Sequence, residues 1–222
     1  MPFEFNQRNL ILCEGSHDRA FFRALLSHLG LTKFQTTSPD EVLGARGGNT
    51  QWGRTLAAII GTRKFETLDG LIIVVDNDDN PKQAVLSAQR AIITSPVFAG
   101  PPKRKIRRPQ RTMFSTKGPP KVAIVPMPAV GQPGALESLC IQAAQTVVPA
   151  TVIGCADQFI RCNGIDQWTT SKQAKVKMRA IIAASHKRNP EMTLSKLWEQ
   201  RPDLVPVADP VFADIAAFLR AF

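Results

Sequence analysis

Two short acidic signatures follow the most apolar runs of this 222-residue chain. Glu14-Gly15 ends the run Leu10-Ile-Leu-Cys13, and Asp76-Asn-Asp-Asp-Asn80 ends the run Gly70-Leu-Ile-Ile-Val-Val75. Alternation along an extended chain puts Asp76 and Asp78 on one side, with Asn77 turned away. If the two runs are neighbouring strands of a parallel sheet, Glu14, Asp76 and Asp78 meet beyond its carboxyl edge, where open α/β sheets bind ligands. Three carboxylates there repel one another unless a cation neutralises them. A ligand set made only of oxygen suits Mg²⁺ or Mn²⁺ better than Zn²⁺. Either signature alone is weak, since Glu-Gly can be a turn and an Asp-rich stretch can cap a helix. The combination is more specific.

The elements that must position these residues are legible. Leu10–Cys13, Gly70–Val75 and Val122–Val125 are continuous apolar runs of the kind buried parallel strands show, and Lys33–Thr37 is a weaker strand. Ser16 is the expected N-cap of a helix carrying Phe21, Phe22, Leu25, Leu26 and Leu29 and closed by Gly30. A helix is expected from about Gln51 to Ile60, and another from Pro81, with Asp79 and Asn80 capping it. A fourth begins after Gly134 and carries Leu136, Leu139, Cys140 and Ala143. After Pro149 only helices are expected, over about 151–162, 171–186, 194–200 and 210–222. The fold class is α/β: a parallel sheet flanked by helices over residues 1–148, and a helical extension over 149–222. Residues 96–121 lose all periodicity and form an insertion rich in Pro, Gly, Lys and Arg.

Leu-Ile-Leu-Cys-Glu14-Gly15 followed by Val-Val-Asp76-Asn-Asp78 resembles the Toprim domain of topoisomerases, primases and OLD-type nucleases. The likeness covers roughly residues 8–145 and is greatest to the small stand-alone OLD-like Toprim proteins of bacteria. Asp18, Gly47-Gly48 and Gly134-Ala-Leu-Glu137 match further parts of that pattern. The resemblance implies that Glu14 is a metal ligand or the general acid/base, and that Asp76 and Asp78 are metal ligands. It implies that Asp18 helps hold a metal, a second one if there are two, over the shorter reach of Asp than of Glu. Glu137 is a further ligand or a charge at a helix N-terminus, and Lys172 or Lys175 fills the place of an OLD-type catalytic lysine.

Charge bears on the partner. The chain carries 28 Lys and Arg against 18 Asp and Glu, a net charge of +10. No acid occurs from Asn80 to Ala135, an interval with ten of the basic residues; elsewhere acids and bases balance. The block Lys103, Arg104, Lys105, Arg107, Arg108 and Arg111 is the expected nucleic-acid-binding segment, the alternative being a solvated basic loop. No stretch reaches the ~20 apolar residues of a membrane helix. Met1-Pro-Phe-Glu-Phe-Asn lacks the pattern of a secretory signal. Cytoplasmic placement is expected, with Cys13, Cys140, Cys155 and Cys162 as buried or half-buried free thiols.

The chain has no tyrosine, which removes the nucleophile by which topoisomerases cleave DNA, and neither the zinc module nor the larger core of a primase is visible. What the resemblance leaves is a Mg²⁺- or Mn²⁺-dependent nuclease acting on DNA or RNA. The alternative is a non-catalytic Toprim module that binds nucleotide or nucleic acid and acts through a partner protein or a homo-oligomer. His17 is expected to face solvent, and Trp52, Trp168 and Trp198 to belong to the core.

Overall fold

The computed structural model describes residues 3–44, 51–95, 97, 113–114 and 120–222. Its strands are β1 (Asn9–Leu12), β2 (Phe34–Thr37), β3 (Gly70–Asp76), β4 (Met113–Phe114) and β5 (Lys121–Met127). They form one sheet in the order β2-β1-β3-β5-β4, the first four parallel and β4 antiparallel to β5. The two strands that end in acids, β1 and β3, are direct neighbours, with Leu12 opposite Ile73. Helices α1 (Ser16–His28), α2 (Pro39–Leu43), α3 (Trp52–Ile60), α4 (Pro81–Ile93) and α5 (Leu136–Ala144) connect and cover the strands. Four more succeed them: α6 (Ala150–Cys162), α7 (Thr170–Ser185), α8 (Leu194–Gln200) and α9 (Ala213–Ala221). Among the described residues, no helix is long and apolar enough to cross a membrane.

The strands are apolar throughout because both faces of the sheet are covered. Leu10, Leu12, Leu71, Ile73, Val75, Val122 and Ile124 point to one face, where Trp52, Leu56 and Ile59 of α3 and Ala88 and Ile92 of α4 bury them. Ile11, Cys13, Ile72, Val74, Ala123, Val125 and Met127 point to the other face. There they join Phe21, Phe22 and Leu25 of α1, Leu136 and Cys140 of α5, Met178 and Ile182 of α7, Leu197 of α8 and Leu219 of α9. The helices from Ala150 onward therefore share one apolar cluster with the sheet.

This parity matters beyond the core. Side chains alternate along β3, so Asp76 continues the series Ile72, Val74 and emerges on the face that carries α1, α5 and α7.

The local signals fix most of the element ends. Asn80 caps α4 by accepting from the Gln83 amide at 3.1 Å, with Pro81 at the first helical position, while Asp79 stays exposed. Gly30, at φ +66, ends α1 in the left-handed conformation expected of it. The N-cap of α1 differs from expectation. It is Gly15, whose amide donates to the Asp18 carboxylate at 3.2 Å, and Ser16 is the first helical residue. Trp52 is buried at 1% exposure and Trp198 packs against Phe21, but Trp168 is 50% exposed, contrary to its expected place in the core. Cys13 and Cys140 are buried as expected; Cys155 and Cys162, two helical turns apart on α6, are exposed, contrary to expectation, because they lie on a face of α6 turned away from the buried Ala156 and Ile160.

Candidate active site

The carboxyl edge of the sheet gathers the acidic residues. Glu14 leaves β1 and turns its carboxylate toward β3, where Oε2 accepts from the Asp76 backbone N–H at 3.1 Å. Asp76, only 8% exposed, accepts from the Leu136 amide at the start of α5 through Oδ1 (3.1 Å). Its Oδ2 lies 3.3 Å from Lys175 Nζ on α7. The same ammonium lies 3.7 Å from Asp78 Oδ1, which also accepts from Ser171 Oγ at 2.6 Å.

Asp76 and Asp78 thus share a partner, though not by strand alternation. The strand ends at Asp76, and Asp78 adopts φ +44, a left-handed conformation that a short Asp tolerates. Asn77 does turn away. Its amide donates to the Ala129 and Gln132 carbonyls at 2.6 and 2.7 Å and ties the loop after β5 to the site. The Gly134 amide donates to the Asp78 carbonyl at 2.7 Å. Gly134 stands at φ +130, and a Cβ there would lie 2.7 Å from Ser138 Oγ, so this position requires glycine.

Two more acids lie behind the first three. Asp18 is 5% exposed in the first turn of α1, and Glu137 is 4% exposed in the first turn of α5. Glu137 Oε1 accepts from His17 Nδ1 at 3.2 Å, so His17 is half-buried against the cluster instead of facing solvent. Of the two lysines open from sequence, Lys175 reaches the acids and Lys172 is exposed. Sequence reasoning misses Ser171 and gives His17 no part. Ser171 stands four residues before Lys175, hence on the same helical face, and its place is implied once Lys175 is located.

The charges are unbalanced, and proton affinities shift accordingly. Burial, then the charge of Asp76, pushes Glu14 from an ordinary 4.5 to about 7. Burial raises Asp76 from 3.8 to about 6, against the lowering pull of Lys175. Asp18 is raised well above its ordinary value by burial and by the charges of Asp76, Glu137 and Glu14. Burial pushes Glu137 up as well, but the His17 hydrogen bond and other lowering contacts outweigh it and leave this carboxyl below its ordinary value. Burial disfavours the Lys175 ammonium, and Asp76, Glu137 and Asp78 more than reverse this, raising its pKa.

The sign of the effect on stability is set by the raised acids. A raised carboxyl keeps its proton in the folded protein at pH values where the unfolded chain has released it, so stability falls as pH rises through that window. For Glu14 the window runs from 4.5 to about 7, and a shift of that size corresponds to on the order of 3 kcal/mol. The metal-free protein is therefore expected to lose stability between pH 4.5 and 7. Glu14→Gln, which keeps an acceptor for the Asp76 amide, should remove the share of that loss that belongs to Glu14 and leave the shares of Asp76 and Asp18. Urea melts of both proteins across this range measure the difference; parallel curves would show that Glu14 is not the strained acid.

The donor set is of a kind that Mg²⁺ or Mn²⁺ accepts: Glu14, Asp18, Asp76, Asp78 and Glu137 offer only carboxylate oxygens. Among the described residues, however, no group of three such side chains is arranged to hold an ion. The Lys175 ammonium instead bridges Asp76 and Asp78, while Glu14 bonds to backbone. Beside the acids, on the α4 side, lies an open cleft of about 370 Å³ lined by Asp76, Asp78, Asn80, Gln83 and Ser87 among others. Lys103, Arg104, Lys105, Arg107, Arg108 and Arg111, and also Gly47-Gly48, lie outside the described residues.

No curated protein and no solved structure matches the chain. One family model does, over residues 8–222, so that both acidic strands, the lysine helix α7 and the C-terminal helices fall within a single family unit. The chain belongs to the family described as Protein of unknown function (DUF3226).

Proposed function

We propose that this chain is a Toprim-type phosphodiester hydrolase, dependent on Mg²⁺ or Mn²⁺, that cuts DNA or RNA. The observation that carries the reading is the meeting of Glu14 from β1 with Asp76 and Asp78 from β3, with the Lys175 ammonium between the two aspartates. Asp76, Asp78 and Glu14 would hold the ion, with Asp18 and Glu137 behind them. When bound, the ion supplies positive charge that polarises the phosphodiester and acidifies water.

The remaining roles belong to the protein's own groups. Glu14, where it does not itself hold the ion, stands beside Asp76 and is placed to take a proton from water or give one to the leaving oxygen. Lys175, still partly exposed, can turn its ammonium to the negative charge that builds on the phosphoryl oxygens. The basic segment 103–111 would hold the phosphate backbone without reading sequence. We assign the activity to the cytoplasm, where the four free thiols stay reduced.

The test is incubation of pure protein with plasmid DNA and with single-stranded RNA, with Mg²⁺, with Mn²⁺ and with EDTA. The expected result is cleavage of at least one substrate that needs the metal. Binding without cleavage under every metal would instead favour the non-catalytic Toprim module acting through a partner protein. The observation on that side is that Lys175 already bridges Asp76 and Asp78.

A further inference from the structure

Trp168 is half exposed, and it sits just ahead of the helix that serves the acidic site. Single exposed apolar side chains are ordinary on protein surfaces. Trp168 differs in how firmly it is held and in its closeness to the site helix. Its carbonyl accepts from Gln173 Nε2 at 2.6 Å, and the same amide group donates to the Asp166 carbonyl at 2.9 Å. Its own N–H donates to the Ile165 carbonyl at 2.9 Å, in a turn that Gly164 opens at φ +65. The backbone under the indole is therefore fixed while much of the ring faces water.

Three residues further on is Ser171, hydrogen-bonded to Asp78, and seven further on is Lys175, paired with Asp76 and Asp78. Three residues span at most about 11 Å of chain, so the indole stands within a few nucleotides' length of the carboxylates. Lys172, Lys175 and Arg179 recur at helical spacing on one stripe of α7, and Lys172 and Arg179 are exposed. Among the described residues, neither lies within ion-pair distance of a carboxylate. From Lys172 to Arg179 the helix rises about 10 Å, the length of roughly three stacked nucleotides.

We infer that Trp168 is a stacking platform for an unpaired base, and that Lys172 and Arg179 carry the adjoining phosphates, so that the ligand of this site is single-stranded nucleic acid. This rests on the phosphodiester chemistry proposed for the neighbouring acids. Its physical basis is general: an aromatic face stacks on any base, and a cationic track holds the backbone regardless of sequence. In a duplex the base faces are already stacked on one another and closed to the indole, which is why single strands are preferred.

The experiment is fluorescence anisotropy in EDTA at low salt, with labelled oligothymidine, the same strand with abasic sites, and a blunt duplex. Wild type should bind the single strand about tenfold or more tighter than the duplex. Trp168→Ala should weaken single-strand binding ~5- to 150-fold and leave the duplex and abasic strand unchanged. Trp168→Phe, which keeps an aromatic face, should retain most of the affinity and guards against a change in folding. Lys172→Gln with Arg179→Gln should weaken all three ligands alike and lower the salt dependence. Equal affinity of wild type and Trp168→Ala for oligothymidine, or no binding by wild type at all, overturns the inference.

Cleavage with Mn²⁺ on the same samples separates the two proposals. Stacking lost in Trp168→Ala, together with no cleavage by wild type of any DNA or RNA substrate under Mg²⁺ or Mn²⁺, sinks the hydrolase and supports the platform. Metal-dependent cleavage by wild type, with unchanged binding by Trp168→Ala, sinks only the platform.

Discussion

Replacing Asp76 with Asn is expected to erase both the thermal response to metal and the metal-dependent cleavage. In wild type, Mg²⁺ or Mn²⁺ at about a hundred times its dissociation constant should add ~2.7 kcal/mol by mass action, which for a chain of this size would be a rise of about 5–10 °C in melting temperature. Asp76 is central to that response because it links three elements: β3 bears it, α5 donates to its Oδ1, and α7 brings Lys175 to its Oδ2. Asn keeps an acceptor for the Leu136 amide, so the start of α5 stays docked, but it is neutral and puts an NH₂ where Asp76 has its second oxygen. Cleavage should fall by ~10³-fold or more, the scale expected when a group acting on the transition state is removed.

The metal-free variant should melt within a few degrees of wild type or above it. Burial of an ionised Asp76 is already unfavourable enough to lift its pKa to about 6, and a neutral side chain avoids that cost. Differential scanning fluorimetry with and without metal measures both effects. A variant that keeps the full metal-induced rise would exclude an ion on Asp76.

The sheet and its acidic edge are legible in the sequence because both leave a local mark. Strands buried on both faces read as unbroken apolar runs, and an acid that ends such a run can lie only at the sheet's edge. Glu14 and Asp76 need nothing more, since adjacency of β1 and β3 brings them together. The rest depends on long-range packing. Lys172 and Lys175 look equivalent in sequence, and only the packing of α7 on the face of Met127 and Leu136 turns Lys175 inward. A histidine at a helix start usually faces water, but Glu137, 120 residues away, draws His17 inward. Asp78 reaches the site by a route other than strand alternation. It faces Lys175 through a left-handed turn at φ +44, and no periodicity encodes that turn. Helical spacing favours burial of Trp168, but this residue precedes the first turn of α7 and its neighbours Asp166 and Gln167 are exposed as well.

Removing Lys175 should separate metal binding from catalysis, moving them in opposite directions. Its ammonium stands 3.3 Å from Asp76 Oδ2 and 3.7 Å from Asp78 Oδ1, the oxygens that the proposed divalent cation would need. The lysine and the ion therefore compete for the same negative charge, and Lys175→Ala should bind Mg²⁺ or Mn²⁺ about tenfold more tightly than wild type. Without metal the variant should be less stable, because Asp76, Asp78 and Glu137 lose their shared counter-charge. Breaking a fully buried pair costs ~3–5 kcal/mol, but the Lys175 side chain is 42% exposed, so a loss of about 1–2 kcal/mol is expected. Saturating metal should restore it, giving Lys175→Ala a larger metal-induced rise in melting temperature than wild type. Cleavage should nonetheless fall by ~10²- to 10³-fold, since the variant lacks a positive charge to place on the phosphoryl oxygens. Lys175→Arg keeps that charge and should lie between the two. Calorimetric titration of the metal, together with cleavage rates at saturating metal, reads both quantities. Loss of metal affinity together with activity would mean that Lys175 orients the aspartates for the ion, not that it competes with it. Unchanged values for both would reduce it to a surface cation with no part in the site.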